Sequence, residues 1–201
     1  MYNNYYPQFN YNRNQTTYNE KITVLDLNNI IRKLWIEHII WTKLTIMSMK
    51  NNYPDTRIVT ERLLRNSTDF GNLFFKFYGH DIALKFSELM KEHLVVAANL
   101  VDAAIKQDNN TLEIIEKKWY KNADDIAEFL SMINPYWNKA KIKTMMYNHL
   151  ALTKSEAVAI ITNNYMESIT IFDEIENQAL LMADAFFEGF IKQFPNRFLK
   201  N

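Results

Sequence analysis

At 201 residues and 48% hydrophobic content, the chain can bury one substantial core. Its 23 basic and 23 acidic residues cancel and are spread along the chain, so a basic nucleic-acid or anionic-membrane surface is not indicated, and no nucleic-acid partner is expected. The chain has no cysteine, which removes disulfide frameworks, thiolate metal sites and cysteine nucleophiles, and fits a cytoplasmic location. No stretch has the form of a signal peptide, and no apolar run reaches the ~18 residues that would span a bilayer.

Residues 1–20, "MYNNYYPQFNYNRNQTTYNE", are rich in Asn and Tyr without helical or strand period, and they read as a disordered tail. The sharper alternative for this tail is self-association into a homo-oligomer, or adhesion to a protein layer. Residues 21–201 form a single helical-bundle domain. Only three glycines and three prolines punctuate it, which disfavours turn-rich β architectures.

In chain order, "TVLD" has the form of a capping box with Thr23 as cap, and a helix is expected over 24–50 with the stripe Ile31, Leu34, His38, Trp41 and Thr45. Pro54 stops it and Asp55 caps the next helix, about 56–77, with a break expected near "NSTDFGN". Gly79 suits a C-terminal cap, and a third helix follows over 81–107 with the stripe Phe86, Met90, His93, Ala97, Leu100 and Ala104. Asn110 caps a fourth helix ending near "INPYW", with Trp119, Asn122 and Ile126 on its apolar side. A short helix is expected over 138–149. "TKSE" then starts a long final helix, 154–193, with a kink or break near "TNNY". The fold class is all-α: an up-and-down bundle with four core helices and two additional short ones.

His38, His93 and Asn122 fall near the midpoints of their helices and Asp173 and Glu176 near that of the last, so one polar layer across the core is expected, with Tyr165 reaching it. Unpartnered buried polar groups cost about 1–3 kcal/mol each, so such a layer must be internally bonded or hold an ion. As a bonded layer it fixes helix register in a non-catalytic protein with structural or association roles. As an ion site it is a ferritin-like centre for iron, manganese or zinc, with redox activity open to it. His38, His93, Glu37, Asp125, Asp173 and Glu176 are then the candidate ligands. The Glu-x-x-His motif of ferritin-like dimetal bundles is absent. A third reading is acid–base catalysis by His93 with a carboxylate. His80 reads as a cap or surface residue, and His149 as core or cap.

The segments "LWIEHIIWTKL", "VTERLLRNSTDFG", "EHLVVAANLVDAA", "KKWYKNADDIAEFLSMINPYW" and "ALLMADAFFEGFIKQFPNRF" resemble an uncharacterised family of helical proteins from spore-forming Firmicutes, over about residues 30–198. The resemblance implies a helical fold, a bacterial source and a cytoplasmic or spore-associated location. Some members carry the label acetylglutamate kinase. That class needs an α/β sheet and glycine-rich phosphate loops, whereas this chain has isolated glycines and no strand-like alternation, so the kinase activity is not expected.

Overall fold

The computed structural model describes residues 21–199, and the Asn/Tyr-rich tail lies outside the described residues. Six long helices follow one another: α1 (Val24–Lys50), α2 (Thr56–Tyr78), α3 (His80–Ile105), α4 (Asn109–Ile133), α5 (Lys139–Ile161) and α6 (Tyr165–Gln193), with a 3-10 turn at Pro195–Arg197. Among the described residues the only β pairing is an isolated bridge between Ile22 and Phe198.

Each helix packs on its neighbours in sequence, and α6 returns to α1, so the six form a closed ring of alternating direction. Across α4 and α5, Lys154 pairs with Glu116 and Lys143 with Asp124, the pattern of an antiparallel pair. α1, α3 and α5 also touch one another and so line the interior, running parallel. The ring therefore consists of three helical hairpins, α1–α2, α3–α4 and α5–α6, each contributing its first helix to the centre.

Local chemistry explains most of the helix ends. Thr23 Oγ1 accepts from the Asp26 N–H at 2.9 Å, as an N-cap does, and its hydroxyl donates to the Asp26 carboxylate at 2.6 Å in place of the backbone bond of a full capping box. Gly79 alone joins α2 to α3 with φ 81° and ψ −174°, a conformation essentially closed to residues with a Cβ. α4 is capped by Asp108 rather than Asn110, and Asp108 accepts from the Thr111 N–H at 3.1 Å.

The expected four core helices are six of similar length, and two sequence signals account for the difference. "NSTDFGN" does not break α2. Asn66, Ser67, Thr68 and Gly71 are all buried there, and Asn66 and Ser67 satisfy their polar atoms on the Leu34 and Leu64 carbonyls. "TKSE" does not start a helix. Thr153 and Glu156 are buried within an unbroken α5, and the break falls at Thr162–Asn164, where Asn164 caps α6. The low-propensity "TNNY" is thus the true boundary.

The core is largely aromatic. Trp35 packs edge-on against Phe70 and Phe186 at 5.2 and 5.5 Å between centroids. It takes the core position expected of Trp41, which is half-buried beneath the Arg62 guanidinium. Trp137 closes one end of the bundle: its Nε1–H donates to the Ala185 carbonyl at 3.0 Å and its ring lies on α6 at Gly189. A Cβ on Gly189 would sit inside the Trp137 indole. Gly189→Ala is therefore expected to destabilise the fold by about 2–3 kcal/mol, read from the midpoint of urea unfolding. An unchanged midpoint would mean that this contact is not tight.

Candidate metal centre

His38, His93 and His149 project from the three interior helices and are 2–3% exposed. Their ring centroids lie 5.3–6.3 Å apart, and one nitrogen from each lies within 4.8 Å of those of the other two. They are 55 and 56 residues apart in sequence, one per hairpin, so each returns to the same level of the bundle.

The second helix of each hairpin supplies an amide to hold the histidine of the first. His38 Nδ1 meets Asn66 Oδ1 at 3.1 Å, His93 Nδ1 meets Asn122 Oδ1 at 3.0 Å, and His149 Nδ1 meets Gln178 Oε1 at 3.2 Å. The amide NH2 groups then donate to the carbonyls of Leu34, Leu89 and Met145, each four residues before its histidine, at 3.1, 3.1 and 2.9 Å. The same three-point bond is thus built three times.

This bonding fixes the tautomer. A backbone carbonyl only accepts, so the amide end facing it must be NH2 and the end facing the imidazole must be oxygen. The oxygen also only accepts, so each Nδ1 carries the proton. Each Nε2 is left with its lone pair, the form in which imidazole binds metals.

Burial holds the rings neutral. Loss of solvation pushes His38 down to about 4, opposed in part by its bond to Asn66. The same desolvation pushes His93 to about 3, with repulsion from His38 adding to it. His149 lies well below the ordinary range, through burial first and then through the charge the other two would carry.

The two sides of the histidine level differ. One turn before the histidines stand Trp35, Met90 and Met146, all buried, with Trp35 edge-on to His38 and His149. One turn after them stand the smaller Thr42, Ala97 and Thr153, and these line a cavity of about 180 Å3. Trp119, whose ring lies 5.5 Å from that of His93, lines it too.

Of the residues expected in the polar layer, His38, His93 and Asn122 come together. Asp173 and Glu176 do not, because the apolar face of α6 is Ile171, Ile175 and Ala179, which turns both carboxylates to solvent. Tyr165 is 54% exposed at the start of α6, where its hydroxyl bonds Asn163, and so lies outside the layer. Glu37 pairs with Arg62 at 3.0 Å and Asp125 with Lys121, both away from the core face of their helices. No carboxylate joins the three imidazoles in a potential metal site among the described residues. His149 is the third member, buried rather than a cap. His80 is exposed at the start of α3, beside Asp81.

Asn66, His149 and Gln178 are the members that sequence reasoning did not place in the layer. A signal for the two amides exists: an amide follows each histidine by 28, 29 and 29 residues.

Three neutral imidazoles, each with its Nδ1–H bonded to an amide, have the donor type and the outer hydrogen bonds found where transition metals are held by three protein ligands. No family model, curated protein or solved structure that was compared with this chain matches it.

Proposed function

We propose that this protein binds one divalent transition-metal ion through His38, His93 and His149, with zinc the best fit. All-imidazole donors suit zinc, copper, nickel or iron, whereas manganese favours carboxylates and waters.

One observation carries the reading: all three Nδ1 atoms are locked as donors by amides whose own orientation is fixed. A layer that merely set helix register would need donors as well as acceptors among its inward nitrogens. Three lone pairs on rings gathered at one level supply only acceptors, and the rings are too deeply buried to take up protons at neutral pH. A cation satisfies all three at once.

The test is elemental analysis of the full chain after incubation with excess zinc and exhaustive dialysis. One zinc per chain is expected. His38→Ala, His93→Ala and His149→Ala should each lose it, while Asp173→Ala and Glu176→Ala should keep it. A wild-type chain without metal, with the histidine variants only less stable, would refute the proposal in favour of a register-setting layer.

A further inference from the structure

Protein interiors pack as densely as organic crystals and keep few voids larger than a water molecule. The cavity of about 180 Å3 bounded by α1, α3, α4 and α5 departs from that rule. Alanines open it: Ala97, Ala98 and Ala104 line it from α3 and Ala157 from α5. Ala97 and Ala104 lie on the apolar stripe of an interior helix, yet both are only half-buried, because the neighbouring side chains leave the space beside them open. The cavity reaches the surface between α4 and α5, where Val158 is 51% exposed and Lys154 donates to Glu116 at 2.6 Å.

The polar groups around it do not call for a partner inside. The Thr42 hydroxyl donates to the His38 carbonyl at 2.7 Å. Thr45 Oγ1 and Trp119 Nε1 are closed off from solvent, so both are turned away from the cavity and their side chains present carbon to it. Lys154 and Glu116 satisfy each other at the mouth. Thr153 apart, the rest of the wall is aliphatic, including Leu63, Leu100, Val101 and Ile161. A water held inside needs about two to four polar partners, which this wall does not supply. No histidine lines the cavity, so its chemistry is independent of the candidate metal centre.

We propose that this cavity is a binding site for a small uncharged hydrocarbon body of about six to eight carbons, separate from the metal site. The size follows from the volume: an apolar cavity of about 150 Å3 stays dry and takes benzene, and this one is somewhat larger. The class follows from the wall, since a polar group carried inside would give up its bonds to water and find almost none in return. Binding supplies the dispersion contacts that the lining side chains lack toward the open space.

The experiment uses toluene as the probe and follows alanine methyl groups in 1H–13C spectra of the full, alanine-labelled chain, assigned by single substitutions. Toluene should shift the methyls of Ala97, Ala98, Ala104 and Ala157 saturably through the field of its ring, and leave those of Ala83, Ala127 and Ala179 in place. The affinity should be the same with and without zinc. Phenol, nearly equal in size but carrying a hydroxyl, should bind about tenfold more weakly. Ala97→Leu and Ala104→Leu, which fill the cavity from α3, should each abolish the shifts.

No saturable shift in the folded wild type would overturn the proposal. So would phenol binding as tightly as toluene, which would mean a polar interior, or toluene shifts that survive in either folded leucine variant, which would put the probe elsewhere. A toluene affinity that changes with zinc would overturn the separation of the two sites. A chain that takes up toluene but holds no zinc refutes the metal reading alone and supports the occupant proposed here.

Discussion

Acidification from pH 6.5 to 4 should unfold the metal-free protein. The sign follows from three histidines whose folded-state values lie below the ordinary 6.5. Below that pH the unfolded chain takes up protons that the folded chain refuses, so stability falls as pH falls, until the folded-state values are reached. Each histidine contributes roughly 1.4 kcal/mol per pH unit, so three give about 4 kcal/mol per unit at the steepest. Domains of this kind have ~5–15 kcal/mol in total, so the loss is large enough to bring the midpoint to about pH 5.

Glu156 works in the opposite direction but is a single group: burial raises its carboxyl against the opposing pull of Lys43, 2.8 Å away, so its protonation favours the folded state as pH falls. Asp108, Glu113 and Asp124 have lowered values and lose their contribution only further into acid. Circular dichroism across this range, with and without saturating zinc, measures the effect. Bound metal excludes protons from the imidazoles, so zinc should move the midpoint to lower pH. A metal-free chain that stays folded at pH 4 would show that the three rings are not held neutral by burial.

Removing one amide should cost both stability and metal affinity. Asn122→Leu leaves the His93 Nδ1–H and the Leu89 carbonyl without their partner in the core, for a loss of about 3 kcal/mol in urea unfolding. It also frees the ring to rotate, and loss of such outer partners typically weakens metal binding ~10–100-fold. Asn66→Leu and Gln178→Leu break the same bonds in the other two hairpins and should behave alike, with the milder loss at Gln178, which is half-buried. Competition with a chromophoric chelator gives the affinities. If Asn122→Leu binds zinc as tightly as wild type, the amides do not orient the ligands.

The helices were legible in the sequence where local chemistry decides them. Thr23 caps α1, Gly79 ends α2, and the stripes through Phe86 and Ile126 identify the buried faces. The misreadings arose where tertiary contacts override propensity. Asn66 and Ser67 look like helix breakers until the Leu34 and Leu64 carbonyls are there to receive them, and Thr153 looks like a cap until it is buried inside α5.

Half of the candidate site was visible for a related reason. His38, His93 and Asn122 sit near the centres of helices whose bounds were read to within about two residues, so their common level could be inferred. His149 fell at the end of a helix taken as short, which hid its place beside the other two until α5 proved to run on to Ile161. The acids of α6 were drawn in by their depth along the helix. Depth fixes only the level of a residue, whereas the angle around the helix decides whether it faces the core, and Ile171, Ile175 and Ala179 claim that angle.

Distributing one histidine to each hairpin also bears on how the chain folds. An α-hairpin closes through contacts a few tens of residues apart and forms early, because little loop entropy opposes it. The three rings meet only when segments 55 residues apart have docked in succession, and when α6 has returned to α1 to complete the ring. With only two hairpins docked, only two imidazoles would reach the axis. An ion bound as proposed would therefore be held in full only by the completed ring, and would oppose the release of any one hairpin.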